Sequence, residues 1–288
     1  MSAALDRVGL VGCGTMGAGI AEVCALAGLD VMVCVTSPAS AERGRARIVR
    51  SLDHALRKGK LAEQDRDDAL VRLSFTLDID GLADRQVVIE SVLEDEAVKV
   101  QVFRALDKVV EHPDAILATN TSATPIMKLG RVTERAGHVV GTHFFNPAPV
   151  LPLVEIVPSL LTREDTVTRI ASFVTENLGK QVVRSPDRAG FMVNALLIPY
   201  LLSAIRMLES GFASVEDIDS GMRLGCAHPM GPLQLVDMIG LDVINAVAES
   251  LYAEFREPHY SPPPLLLRMV DAGLLGKKTG RGFHEYAR

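Results

Sequence analysis

A histidine near the end of one apolar run, Gly141-Thr142-His143-Phe144-Phe145-Asn146-Pro147, and a glutamate inside another, Leu153-Val154-Glu155-Ile156-Val157, are the residues of this chain best suited to proton chemistry. A carboxyl within an apolar strand is costly unless it has a partner. The segment between the two runs, 147–152, is punctuated by prolines. If it folds the second run back beside the first, Glu155 reaches the imidazole of His143, fixes its tautomer and stabilises its protonated form. Such a pair is a general base. A histidine merely satisfied within the core is the competing reading.

Gly12-Cys13-Gly14-Thr15-Met16-Gly17 carries a second kind of chemistry, because it stands between an apolar strand over 7–11 and a small-residue helix over 18–27. In that setting Gly12 makes the tight turn, Gly14 lets the backbone approach a pyrophosphate, and Gly17 lets the helix pack closely on its strand. Thr15 and Met16 open the helix, whose N–H groups and positive dipole end face the phosphates. A glycine-rich structural turn is the alternative. Taken together, a base and a dinucleotide site imply a dehydrogenase: the base takes a hydroxyl proton while hydride leaves the same carbon for a nicotinamide ring.

A strand over 31–35 follows, and a NAD site normally has Asp or Glu at its end to hold the ribose 2′-hydroxyl. This chain has Val35 there, with Asp30 at the opposite end and Thr36, Ser37, Pro38, Arg43 and Arg45 beyond. The missing carboxylate removes a repulsion, and hydroxyls with a nearby guanidinium can accept a 2′-phosphate. Thr36 and Ser37 are therefore candidate coenzyme contacts, and the expected coenzyme is NAD or NADP.

The elements that must position these groups follow from apolar periodicity. A helix is expected over 39–57, a strand and helix over 86–92 and 95–110, and strands over 115–118 and 139–145. Strands over 153–157 and 181–183, separated by a helix over 163–178, close the pattern. Apolar strands alternating with helices point to a parallel sheet covered on both faces. After the polar stretch 185–188 the periodicity turns helical, over 191–210, 215–224, 233–255 and 265–273. The expected fold is an α/β Rossmann-type doubly wound sheet over 1–187 followed by an all-α domain over 188–288. The second part is apolar with few charges over 194–208, which suggests a homodimer through this domain.

Composition limits the partners. The net charge of −6, without a block of like charge, gives no support to a nucleic-acid groove or a polybasic membrane patch. No apolar run has membrane-spanning length and the start lacks a signal-peptide pattern, so a cytoplasmic location is expected. Cys13, Cys24, Cys34 and Cys226 show no ligand spacing, so neither a metal nor a disulfide is expected. The helix 39–57 and its end are unusually basic, with Arg43, Arg45, Arg47, Arg50, Arg57, Lys58 and Lys60. That is either a solvated face or a grip on a phosphorylated handle.

These residues match a known family. The chain resembles the 3-hydroxyacyl-CoA dehydrogenases, particularly the short bacterial 3-hydroxybutyryl-CoA enzymes, through 11–17, 89–95, Thr119-Asn120-Thr121-Ser122, 141–157, Gly190-Phe191-Met192-Val193-Asn194 and 276–283. The resemblance implies an NAD(P)-dependent exchange between a (3S)-3-hydroxyacyl-CoA and its 3-oxoacyl form in fatty acid metabolism, with a helical domain that dimerises and closes over the thioester. Carried over residue by residue, it makes His143 the base, Glu155 its orienting partner, and Ser122 and Asn194 hydrogen-bond donors to the substrate oxygen. It also implies coenzyme contacts at Glu94, Lys99, Asn120, Asn146 and Lys278, and contacts to CoA at Ser51 and Lys58. The rival readings keep the fold. One is a dehydrogenase of a hydroxyacyl unit on a carrier protein, or of a free hydroxy acid; another is a non-catalytic, crystallin-like structural protein.

Overall fold

Parallel strands buried on both faces cannot alternate in polarity, and their near-continuous apolar character makes most of them conspicuous here. The computed structural model describes residues 5–286, and the chain divides into two compact units, Met1–Asp187 and Arg188–Arg288.

The first unit opens with β1 (Arg7–Val11), α1 (Thr15–Leu26), β2 (Asp30–Cys34), α2 (Pro38–Arg57), α3 (Glu63–Val71) and β3 (Leu73–Thr76). It continues with β4 (Val87–Glu90), α4 (Glu96–Val109), β5 (Ile116–Thr119), α5 (Ile126–Gly130) and β6 (Val139–Phe144), then β7 (Leu153–Val157), α6 (Glu164–Ser172) and β8 (Gln181–Arg184). The strands form one eight-stranded sheet in the order β3-β2-β1-β4-β5-β6-β7-β8. Every pairing is parallel except β6 with β7, which is antiparallel. The direction of winding reverses between β1 and β4, and such a switch point leaves a crevice at the carboxyl ends of the strands.

Three elements of this unit, α3, β3 and the five-residue α5, were not expected from periodicity. β3 is an edge strand with only Leu73 buried, and α3 buries only Ala69, so neither carries an apolar stripe. The expected helix over 163–178 also changes character, ending in a π-helical turn over Phe173–Asn177. By contrast α2 shows strong signals: Ser37 accepts from the Ser40 N–H at 3.2 Å, Pro38 occupies the first turn, and Gly44, Ile48 and Leu52 are buried.

The second unit is helical, with α7 (Val193–Glu209), α8 (Val215–Gly225), α9 (Pro232–Ile239), α10 (Leu241–Phe255) and α11 (Pro264–Asp271) around Leu201, Leu202, Ile205, Leu233, Val236, Ile244 and Leu251. The single helix expected over 233–255 is two helices. Gly240 takes φ +108°, a left-handed conformation that interrupts the helix while the apolar periodicity runs on across it. The tail is held by Asp237, which accepts from the N–H groups of Phe283 (2.9 Å) and His284 (2.8 Å) and from the Tyr286 hydroxyl (3.1 Å). Among the described residues no helix is long and apolar enough to cross a membrane.

A fully buried ion pair fixes the carboxyl end of β4. The Lys99 ammonium donates to both oxygens of Glu90, at 2.9 and 3.0 Å, and lies 3.3 Å from Glu94. Glu90 also accepts from the Val92 N–H at 2.7 Å and the Thr119 hydroxyl at 2.6 Å. Removing one partner from such a pair leaves an uncompensated charge in the core. Lys99→Met should therefore lower the unfolding free energy by about 3–5 kcal/mol, measured by urea unfolding followed by circular dichroism; a loss below about 1 kcal/mol would contradict this account.

Candidate active site

The glycine turn between β1 and α1 has the geometry that a pyrophosphate needs. Gly12 adopts φ +95°, and a Cβ there would stand 2.5 Å from the Ser91 carbonyl oxygen. A Cβ on Gly17 would stand 2.3 Å from the Gly12 carbonyl oxygen, so helix and turn meet backbone to backbone. At Gly14 a Cβ would meet nothing within 4 Å. That open space lies where α1 begins, with no side-chain cap and no acidic residue in its first turn. Thr15 is exposed and Met16 half-buried there. The N–H groups and dipole of α1 thus face an accessible volume, and a dinucleotide fits this end of the sheet.

β6 ends at the same edge. Because β1, β4, β5 and β6 all run parallel, the ends that carry Gly12 and His143 point the same way. The antiparallel return of β7 sets His143 directly opposite Glu155. Directly opposed residues share a face, and here the pair makes contact: His143 Nδ1 lies 2.7 Å from Glu155 Oε2. Glu155 is fully buried and His143 only 7% exposed. A carboxylate can only accept, so Nδ1 carries the proton in this contact. Phe145 packs beside the ring at a centroid distance of 4.6 Å.

The loop after β5 is tied into this edge by Glu94. Its carboxylate accepts from the hydroxyls of Thr121 and Thr124 (2.9 Å to the latter) and from the Thr124 N–H at 3.1 Å. Burial alone would push the Glu94 carboxyl up; the Lys99 ammonium and these hydrogen bonds outweigh it and hold it below the usual range. Asn120 accepts from the Phe144 N–H at 2.9 Å, linking the ends of β5 and β6 beside His143. Ser122, half-buried, sits within this pinned loop, and Asn146 is exposed in the turn after β6. Lys99 reaches this network from behind: fully buried, it orients Glu94. Thr121, Thr124 and Glu90 were not singled out for any role from sequence, since short hydroxyls and a strand glutamate become anchors only when β4, β5 and α4 converge.

At the end of β2, Val35 is buried in the core. Thr36 is exposed, and Ser37 belongs to a short polar network in which Ser40 contacts Ser37 at 3.0 Å and accepts from Arg43 at 3.0 Å. Burial and then the nearby Asp78 carboxylate push the Cys34 thiol up, so an acidic group stands near the end of β2 after all. It comes from the loop after the unexpected β3. Ser51 lines a groove of about 240 Å³ between α1, α2 and the turn after β6, and Lys58 is exposed where α2 ends.

In the second unit, Asn194 is half-buried in the first turn of α7. Lys278 donates to both oxygens of Asp242, at 2.5 and 2.6 Å. Among the described residues no group of His, Cys, Asp and Glu is arranged to hold a metal ion. Cys13, Cys24 and Cys34 are buried and Cys226 is exposed; burial pushes the Cys24 thiol up to about 12.

A doubly wound dinucleotide-binding unit followed by an all-helical unit, with an imidazole at the carboxyl edge of the sheet, is the architecture of a nicotinamide-dependent oxidoreductase. Residues 7–188 match the family model "3-hydroxyacyl-CoA dehydrogenase, NAD binding domain", and residues 190–286 match "3-hydroxyacyl-CoA dehydrogenase, C-terminal domain". The chain belongs to the 3-hydroxyacyl-CoA dehydrogenase family. It is 58% identical to a Mycobacterium tuberculosis 3-hydroxybutyryl-CoA dehydrogenase over 99% of this chain and 100% of that one. The crystal structure of M. tuberculosis FadB2 superposes with a TM-score of 0.98 at 58% identity, covering 99% of this chain and 100% of that one. The (S)-3-hydroxybutyryl-CoA dehydrogenase PaaH1 of Ralstonia eutropha gives a TM-score of 0.94 at 44% identity, again over 99% and 100%. The first unit is an NAD-binding domain by this match, so the coenzyme is a nicotinamide dinucleotide.

Proposed function

We propose that this chain interconverts (3S)-3-hydroxybutyryl-CoA and 3-oxobutyryl-CoA, with His143 as the general base. The observation that carries the reading is the buried His143–Glu155 contact of 2.7 Å at the edge of the sheet that also bears the glycine turn. In the oxidative direction His143 Nε2 takes the proton from the substrate 3-hydroxyl, the C3–H electron pair leaves as hydride, and the C3–O bond becomes a carbonyl. Glu155 holds the resulting imidazolium. When bound, the nicotinamide coenzyme supplies hydride chemistry, accepting in one direction and donating in the other. Ser122 and Asn194 are the proposed donors to the substrate oxygen, and each such donor is worth roughly 3 kcal/mol of transition-state stabilisation.

The pyrophosphate would lie on Gly12, Gly14, Thr15, Met16 and Gly17, where the space over Gly14 and the uncapped start of α1 favour it. Glu94, Asn120 and Asn146 are proposed contacts to the coenzyme, with Lys99 orienting Glu94 and Lys278 held in position by Asp242. Ser51 and Lys58 are proposed to bind the CoA phosphates. The test is absorbance at 340 nm with 3-oxobutyryl-CoA and reduced coenzyme: wild type turns over, and His143→Gln falls by at least about 100-fold. A His143→Gln variant with near-normal turnover removes the role.

Coenzyme choice turns on the end of β2. Ser37, Ser40 and Arg43 offer donors to a 2′-phosphate, while Asp78 opposes one, so the reading is use of either NAD or NADP. The expected Michaelis constants for the two differ by no more than about tenfold, the equivalent of 1.4 kcal/mol; a strong preference for NAD would discard this.

The second unit leaves Leu196, Phe212 and Leu224 exposed, at 74, 79 and 84%. Apolar surface of this kind supports a homodimer formed through the helical domain. Light scattering should give twice the mass of the chain, and a stable monomer would refute the dimer.

A further inference from the structure

α1 is built from small and apolar residues with one ionisable carboxyl, Glu22, which is only 3% exposed. Among the described residues no cation pairs with it. A buried carboxyl without a cation is held as the neutral acid over a wide range, and burial pushes Glu22 up to about 7 from 4.5, against the pull of a hydrogen bond from Ser51. Glu22 and Ser51 both line the groove of about 240 Å³ between α1, α2 and the turn after β6, together with Arg47 and Arg50.

The charged groups around Glu22 are few. From α2 they are Arg47, which donates to the Cys13 carbonyl at 3.2 Å, and the exposed Arg50. On α3, which also packs on α1, Arg66 is tied to Asp53 and Asp67, Asp68 accepts from Gln64, and Glu63 and Asp65 stand in the first turn. Arg72, just after α3, donates to the Ala25 carbonyl at 3.5 Å. The turn after β6 contributes Asn146, Pro147, Ala148 and Pro149, none of which titrates.

We propose that Glu22 sets both the direction of the Ser51 hydroxyl and the net charge of this groove: as a neutral acid it admits the phosphate-bearing CoA handle of the substrate, and as a carboxylate it turns that handle away. The chemistry is that of a short relay. A neutral carboxyl can donate to Ser51 Oγ, which leaves the Ser51 O–H to donate to a phosphate oxygen. An ionised carboxylate can only accept, so it claims the Ser51 O–H for itself and adds a negative charge between the helix and the two guanidinium groups. Phosphate then loses a donor and gains a repulsion. The proposal rests on the CoA-thioester reading above, and the same phosphate chemistry could come from the dinucleotide.

The test uses the full chain and its Glu22→Gln variant, with free CoA and NAD as separate probes by calorimetry at pH 6.0 and pH 8.5. Wild type should lose CoA affinity by about fivefold or more relative to the variant over this range, the low end of a coupled protonation. NAD affinity should change alike in both proteins. The variant carries the titration of the ligand's own phosphate, so the difference between the proteins isolates Glu22. In steady state the effect falls on KM for the CoA thioester. Equal pH dependence of the two proteins overturns the proposal, and a wild-type loss confined to NAD overturns its assignment to CoA. Turnover of 3-oxobutyryl-CoA in the same preparations keeps the general reading separate, because it can persist when the pH difference is absent.

Thermal melting provides a second arm. The folded state keeps the Glu22 proton between about 4.5 and 7, where the unfolded chain has lost it, so wild-type stability falls with rising pH across that window. The melting temperature of Glu22→Gln minus that of wild type should rise from pH 5 to pH 8. A constant difference shows that Glu22 does not titrate in the folded protein and overturns the proposal.

Discussion

The fully buried Glu155 carboxylate has an imidazole nitrogen 2.7 Å away, the kind of partner that a charge in the core requires. That single contact dictates the local architecture. β7 must run antiparallel to β6 in the register that opposes His143 to Glu155, since a slip of one residue would send the carboxylate to the other face of the sheet. The turn 147–152 makes the reversal, and it does so inside a sheet whose other pairings are parallel. β6 stays parallel to β5 and so, through β4, to β1. The imidazole is thereby delivered to the edge where the glycine turn opens.

Around that contact the protein settles its charges one by one. Lys99 neutralises Glu90 and orients Glu94, and Glu94 in turn draws Thr121 and Thr124 into a fixed loop. The carboxyl edge of the sheet is thus tied together by ion pairs and hydrogen bonds. Glu22 is the exception: a buried acid with no cation, beside a groove that holds two arginines and a serine. A buried carboxyl with a hydroxyl partner but no cation is a place where proton binding and ligand binding can be linked.

The parts of the fold that could be read without coordinates are those with a strong period. β4, β5 and β6 are buried along their whole length and stand out as apolar runs. β3 did not, because Ser74, Phe75 and Thr76 are only half-buried at the edge of the sheet, and α3 did not, because it shows an almost wholly polar surface. The helix break at Gly240 is invisible to periodicity, since Val236, Leu241 and Ile244 are buried on both sides of it. Missing β3 also hid Asp78, the acidic group that stands near the end of β2 from the loop after that strand.

The amino-acid sequence alone determined which residues can exchange a proton, where a pyrophosphate can approach the backbone, and that the chain begins as a doubly wound sheet and ends in helices. These are local properties, set by residue type, spacing and the length of apolar runs. What only the tertiary structure decided is which groups meet. Lys99 turns inward to Glu90 instead of outward, Asn120 is tied to β6, Lys278 is taken by Asp242, and Glu22 faces Ser51 across a groove. Each of these joins residues on different elements, and the energy of a buried charge depends on the partner that folding places beside it, which no spacing along the chain encodes.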